Sequence, residues 1–352
     1  MRSTCEASRE ATTVPQSTYA EDAYTPDKHW WRPAGECRHS RKFRTFAAGG
    51  ERLAHRDPSV DISPMHEWQH NSPQKLREYE ADPTVAKFKA PEYRADQPLR
   101  WDEECIRFTS HTKRAFFFGM ARVLGKGGVF FLTPISLLVA IVGASMFAND
   151  ARHGSYISNF LGYQNWIFCI YFVLPWAVLW ALAALVQRLA PNFAAGMQPG
   201  PMWELNRRTG EVTVFADPSK KRTAWQVADV RPFYEFDCHL LSTPDPQGSP
   251  QYSLSLVHHL DEIQVRLVGM FGATQSHLEQ RANWDMLQRY MDVSQPLPDF
   301  PMLEQDRPAD PTTREHDHQT GRDPRFWRDM DDATYDRHVE AQQGKINALY
   351  LG

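Results

Sequence analysis

The residues of this 352-residue sequence best suited to chemistry stand together at Glu315-His316-Asp317-His318. Two imidazoles and two carboxylates in a row are the side chains that hold zinc or manganese, and either His could serve as a general base. Their neighbours are Asp, Thr, Arg and Gln, with no apolar strand to exclude water or fix the rings, so the stretch is expected to be a solvated loop. His258 and His259 form a second candidate; His258 falls on the apolar face of an alternating run and reads as a packed, hydrogen-bonded ring. The chain contains no GxSxG, HExxH or GxxxxGK[ST] motif. Its five cysteines (Cys5, Cys37, Cys105, Cys169 and Cys238) are scattered singly, which fits neither a disulfide framework nor a zinc site. No catalytic, cofactor-binding or metal-ligating residue is therefore assigned, no cofactor is expected, and a non-enzymatic role is the expectation.

The elements that would position any site are dominated by two apolar runs. Val129–Ala148 carries no charged side chain over twenty residues, and Trp166–Val186 none over twenty-one. Each is long enough to cross a bilayer core as a helix, and the seventeen residues between them make the pair a transmembrane hairpin. The competing reading is a buried helix of a soluble domain, but such helices seldom stay apolar on every face for this length. Pro134 and Pro175 are expected to bend these helices without ending them. Ala140 and Ala144 on the first span, and Ala177, Ala181 and Ala184 on the second, would allow close backbone approach.

Cations set the expected orientation. Lys113, Arg114, Arg122 and Lys126 precede the first span and Arg188, Arg207 and Arg208 follow the second, whereas the connecting residues hold only Arg152. The positive-inside bias then places both termini in the cytoplasm, with Tyr163 and Trp166 at the outer headgroup level. Nothing before residue 115 resembles the apolar core of a secretory signal, so the first span is expected to direct insertion itself. The net charge of -4 and the pI near 6.4 give no general attraction to nucleic acid.

The water-facing arms read as follows. Residues 1–100 are polar and lack a sustained period, which predicts a mostly disordered or extended region with one short helix over 72–81, Pro73 at its first position, and an aromatic island at Trp30-Trp31. Residues 101–128 are a juxtamembrane segment, apolar and basic together at Lys113-Arg114, Phe116-Phe117-Phe118 and Arg122, expected in the headgroup layer or as a helical extension of the span. After a linker over 191–201, Trp203–Asn206 and Val212–Phe215 flank a turn ending at Gly210 and predict a hairpin. Further strands are expected at Thr223–Gln226 and Val230–Phe236, with Pro232 marking an edge or bulge. Alternation then predicts a half-buried strand from Tyr252 to Leu260, paired antiparallel with Ile263–Val268. Ser276 and Glu279 form a capping box for a helix that turns Leu278, Ala282, Leu287, Tyr290 and Met291 inward. This order over 200–293 fits an α+β domain, either a pleckstrin-homology-like split barrel closed by its C-terminal helix or a sheet with one covering helix. A proline-rich crossing and C-terminal helix occupy 294–352, the helix beginning near Asp323-Pro324.

The hairpin, followed by WELNRRTGEVTVF, Trp225, NWDMLQRYMD and PLPDFPMLEQDRPADPTTREHDHQTGRDPRFWRDM, resembles a group of uncharacterised two-span bacterial inner-membrane proteins grouped as a domain of unknown function. Members of that group are often associated with type VI secretion gene clusters. The resemblance covers roughly residues 110–330 and brings no active residues with it. The resemblance implies a bacterial inner-membrane protein with a role beside effectors, adaptors or immunity proteins; together with the tethered sheet domain, the expectation is a membrane-anchored accessory or scaffold protein that binds a protein partner at the cytoplasmic face. The alternative is a membrane-acting toxin or immunity component of a secretion system. Candidate lipid contacts are Lys220, Lys221 and Arg222 in a turn, with Lys113, Arg114 and Arg122 beside the first span. Phe326, Trp327 and Met330 are candidates for contact with a protein partner, or for covering their own domain.

Overall fold

The computed structural model describes residues 19–28, 51–55, 65–83, 91–148, 157, 160, 163–194 and 196–348. The chain divides into two compact units, Met1–Thr109 with Pro199–Gly352, and Ser110–Gln198. The strands are β1 (Glu51–Leu53), β2 (Arg100–Trp101), β3 (Cys105–Phe108), β4 (Trp203–Asn206), β5 (Glu211–Phe215), β6 (Val227–Pro232), β7 (Phe236–Pro244), β8 (Pro250–His258) and β9 (Gln264–Arg266). The helices are α1 (Met65–His70), α2 (Pro73–Ala81), α3 (Pro91–Arg94), α4 (Lys113–Ala148), α5 (Tyr163–Leu189), α6 (Pro191–Ala194), α7 (Val268–Phe271), α8 (His277–Met291), α9 (Pro311–Thr320) and α10 (Asp332–Ala348).

The first unit is α+β with two antiparallel sheets, ordered β1-β7-β8-β9 and β2-β3-β4-β5-β6. The β4–β5 hairpin forms where alternation predicts it, pairing Trp203 with Val214 and Leu205 with Val212. Its turn is shaped by Asn206, whose Oδ1 accepts from the backbone N–H groups of Arg208 and Thr209 at 2.9 and 3.1 Å. Gly210 follows with φ +75°, and a Cβ there would lie 2.7 Å from the Tyr24 nitrogen, so only glycine fits. Pro232 ends β6, an edge strand, as its missing N–H requires. β8 and β9 pair antiparallel through Leu256 and Val265. Ser276 caps α8, its hydroxyl accepting from the Glu279 N–H at 3.3 Å. Ala282, Leu287, Tyr290 and Met291 are all buried, with Leu278 half-buried at the margin.

Several expectations for this unit are corrected. The described stretches of the first hundred residues are docked, not extended: β1 pairs with β7, and Tyr24, Leu53, Trp68 and Leu76 belong to the main core. Pieces this short carry no period of their own and gain their apolar burial only from distant partners. The helix over 73–81 forms with Pro73 at its first turn, whereas Trp30-Trp31 lies outside the described residues. The start of the stretch 101–128, expected to be an apolar and basic segment or helical extension, forms strand instead: β2 and β3 make one side of the larger sheet. Thr223–Gln226 is a turn, and the expected strand at Val230–Phe236 is instead the end of β6, a short 3₁₀ turn at Phe233–Glu235 and the start of β7. β8 is covered on both faces from Leu254 to His258, and Leu260 lies beyond it, exposed. No helix starts at Asp323-Pro324; the residues to Asp329 are turns, and α10 begins at Asp332.

The second unit is built on α4 and α5, packed against each other along their lengths. Both continue through their prolines, Pro134 and Pro175. Each contains a stretch long and apolar enough to cross a membrane, with mean hydropathy 2.2 and 1.9. Only 17% and 6% of those stretches are buried, the reverse of a soluble core helix, and rings such as Phe130 and Tyr171 stand about three-quarters exposed. The seam between the helices is lined by small residues. Ala121, Ser136, Ala140 and Ala144 are buried, and a Cβ on Gly125 would meet the Trp180 backbone at 2.7 Å. On α5 the buried alanine is Ala183; Ala177 and Ala184 are half-buried and Ala181 is exposed. Below the pair the two chain ends run together, with Gln198 N–H donating to the Ser110 carbonyl at 3.0 Å.

Candidate functional site

The first unit contains a cavity of about 340 Å³, lined by residues of α2, α3, β2 and the segment around Met302 to Asp306. Its apolar wall is Leu76, Tyr79, Leu99, Trp101 and Met302. Tyr79 and Leu99 are each about 40% exposed at its margin. Arg94 and Arg100 form the polar wall. Arg94 bonds Glu103 at 3.0 Å and Asp306 at 2.8 Å, while Arg100 bonds Asp102 through Nε and Glu104 through Nη2 at 2.5 Å. Burial works against the charge on Arg94, but Asp306, Glu103 and Asp102 outweigh it and raise its pKa. Burial and the neighbouring Asp102 raise the pKa of Glu103. Four carboxylates around two guanidiniums leave this wall net negative. The indole N–H of Trp101 is buried without a hydrogen-bond partner. The groove is an apolar trough with an acidic rim, lined by no Ser, Cys, Lys or His side chain and flanked by the short edge strand β2.

The residues singled out from sequence fall elsewhere. Glu315, His316 and His318 lie exposed on α9, a helix and not a loop, and Asp317 turns to Arg307 in a two-pronged pair at 2.8 and 2.6 Å. Among the described residues no cluster of three His, Cys, Asp or Glu side chains is placed to share a metal ion. His258 is buried, with Nε2 2.9 Å from Glu235 Oε2, while its Nδ1 accepts the Asp261 N–H at 2.9 Å. Both ring nitrogens are thereby occupied, and the ring fastens the β8–β9 turn. Cys105 and Cys238 are buried free thiols, and burial pushes both pKa values well up, so neither offers a thiolate.

Lys220, Lys221 and Arg222 are exposed in the turn before β6, where Lys220 pairs with Asp217 at 2.9 Å. Trp225 closes that turn, its indole donating to the Pro199 carbonyl at 3.2 Å with the Arg107 guanidinium 5.1 Å from its ring. Trp327 and Met330 are in the core, the indole of Trp327 donating to Asp299 at 2.8 Å and meeting the Trp68 ring edge-on at 5.0 Å. These two are buried in their own unit, the second of the two roles their sequence allows, whereas Phe326 is 37% exposed. Lys113, Arg114 and Arg122 are exposed on α4.

Arg207 is the residue whose role the sequence hides most completely. By position it is one of the cations that follow the second span, yet it is fully buried. Its guanidinium grips both oxygens of Asp310 at 3.0 and 3.2 Å and donates to the carbonyls of Tyr290, of Asp292 at 2.7 Å and of Gln295 at 2.8 Å. Asp310 in turn caps α9 by accepting from the Thr313 N–H at 3.0 Å, and takes the Tyr19 hydroxyl at 2.8 Å. One buried cation thus binds the β4–β5 turn, the end of α8, the start of α9 and a residue near the beginning of the chain. Comparison with family models, with curated proteins and with solved structures finds no match.

Proposed function

We propose that this chain is a membrane-anchored, non-enzymatic accessory protein that holds a recognition unit at the cytoplasmic face of a bacterial inner membrane. The observation that carries the reading is the pair of apolar helices left almost bare over their length, a surface that lipid covers and water does not. The hairpin is inserted into a single folded unit, which leaves at Thr109 and resumes at Pro199. Both flanks of that unit therefore lie on one side of the bilayer, and the cations Lys113, Arg114, Arg122, Lys126 and Arg188 favour the cytoplasmic side. With Arg207 buried, the bias rests on these five and Arg208.

The partner in this reading is a protein segment with apolar and basic side chains, taken into the groove beside β2; a second open edge is β6. The resemblance to two-span proteins near type VI secretion clusters supplies the secretion setting. A split barrel plugged by α8 is the finer fold within the same reading, supported by the packing of α8 against β7 and β8. The test is photo-crosslinking in membranes with the natural neighbouring genes present. A crosslinker at Leu99 is expected to trap one discrete protein that a crosslinker at Leu260, on another surface, does not. Equal trapping at both positions rejects the groove. Overproduction of residues 110–195 alone is expected to leave growth unchanged; growth arrest would favour the toxin alternative.

A further inference from the structure

We infer that the membrane-proximal flank of the helical hairpin is a binding site for the headgroup of an anionic phospholipid, built on Arg122 and Lys126 of α4 beside the end of α5. This rests on the membrane reading given above. The unit from Ser110 to Gln198 contains six Lys and Arg residues and one carboxylate, Asp150, although the chain as a whole has a net charge of -4. That carboxylate lies, in sequence, between the two spans. Among the described residues, none of Arg114, Arg122, Lys126 and Arg188 forms an ion pair with an acid. No acid of the described residues offsets these exposed cations, and lipid phosphate is the anion present at that level.

Arg122 and Lys126 are four residues apart and so share a face of α4. The Arg122 guanidinium is held toward α5 by donation to Gln187 Oε1 at 2.7 Å, and Arg188 follows Gln187 in sequence. Arg114 lies 5.0 Å over the Phe193 ring of α6. The same turns of α4 expose apolar side chains: Phe116, Phe117, Met120 and Val123 are between 42% and 69% exposed. α4 is about 54 Å long, well beyond a hydrocarbon core of about 30 Å, so its first turns run through the headgroup layer. A stripe for acyl chains beside a preset cluster of cations is how a phospholipid is recognised, in contrast to a purely diffuse attraction.

The experiment uses the full chain solubilised in mild detergent with equal amounts of dioleoylphosphatidylglycerol and dioleoylphosphatidylcholine, the retained lipid being counted by native mass spectrometry. Wild type is expected to retain the phosphatidylglycerol at least tenfold over the neutral lipid. The Arg122→Gln/Lys126→Gln variant is expected to lose most of that preference, at about fivefold per cation removed. Arg122→Lys should keep the preference, which separates lost charge from misfolding. Neutralising Lys220, Lys221 and Arg222 together should leave it unchanged; a preference lost there instead would move the lipid contact to that turn and overturn the inference. Equal retention of the two lipids by wild type, or an undiminished preference in the double variant, also overturns it. If the protein is integral to the membrane but shows no preference, only this inference fails; if alkaline carbonate extracts it, the membrane reading fails first.

Discussion

Replacing Arg207 by Met tests how the water-facing unit is held together. The substitution keeps most of the side chain's volume and removes the guanidinium, leaving the Asp310 carboxylate buried with only Tyr19 and Thr313 to donate to it. The carbonyls of Tyr290, Asp292 and Gln295 lose their donor at the same time. Breaking a buried ion pair by removing one partner costs about 3–5 kcal/mol, and buried carbonyls left unsatisfied add to the cost. With a urea slope of roughly 3 kcal/mol/M, the unfolding midpoint should fall by about 1–1.7 M. The assay is urea unfolding of the full chain in detergent, followed by tryptophan fluorescence. Burial opposes ionisation of Asp310 in the wild type, but Arg207 more than compensates and holds its pKa below the ordinary carboxylate value. That stabilisation is present above the unfolded value of 3.8 and is lost as pH falls through the lower folded value. Without Arg207, burial dominates and raises the folded pKa, so the carboxylate opposes folding at neutral pH and protonating it relieves the cost. The gap between variant and wild type should therefore narrow on going from pH 7 to pH 5. A loss below about 1 kcal/mol, or a gap that widens on mild acidification, would refute the reasoning.

Other substitutions probe separate parts of the account. Gly210→Ala forces a side chain into a positive-φ turn and against the Tyr24 backbone, and should cost about 2 kcal/mol or more in the same urea assay. Trp327→Ala empties a core position and frees a bond to Asp299, with an expected loss of about 3–5 kcal/mol, whereas Phe326→Ser should change stability by about 0.5 kcal/mol or less. Gly125→Val drives a branched side chain into the Trp180 backbone and should lower the thermal midpoint of the hairpin in nanodiscs, while Gly119→Val, with open space around it, should do so far less. Doubly replacing His316 and His318 by Ala should leave melting temperature unchanged with or without added zinc, since the helical residue facing a partner is Asp317.

What the sequence made legible was local. The two apolar runs, the Trp203–Phe215 hairpin, the β8–β9 pair and the Ser276 cap each declare themselves within a dozen or so residues, through length, period or a single capping side chain. β7 does not, because it is covered on both faces and carries Asp237 and His239 inside; its alternation is erased, and Asp237 is balanced by Arg52 on β1 at 2.6 Å, far away in sequence. β1 is three residues long and has no signal without that partner. The same holds for the groove, whose walls come from residues near 76, 100 and 302, and for Arg207, which reads as a turn cation until Asp310 and three distant carbonyls surround it. Trp327 and Met330 looked like a patch for a partner because the core that receives them is assembled partly from α1, whose polar sequence MHEWQH gives no hint that Trp68 is buried.

The central claim is that lipid covers the bare faces of α4 and α5. Alkaline carbonate extraction of cell membranes followed by ultracentrifugation addresses it most directly. The account predicts that the full chain stays in the pellet and enters the supernatant only with detergent. Recovery of the chain in the carbonate supernatant would contradict it.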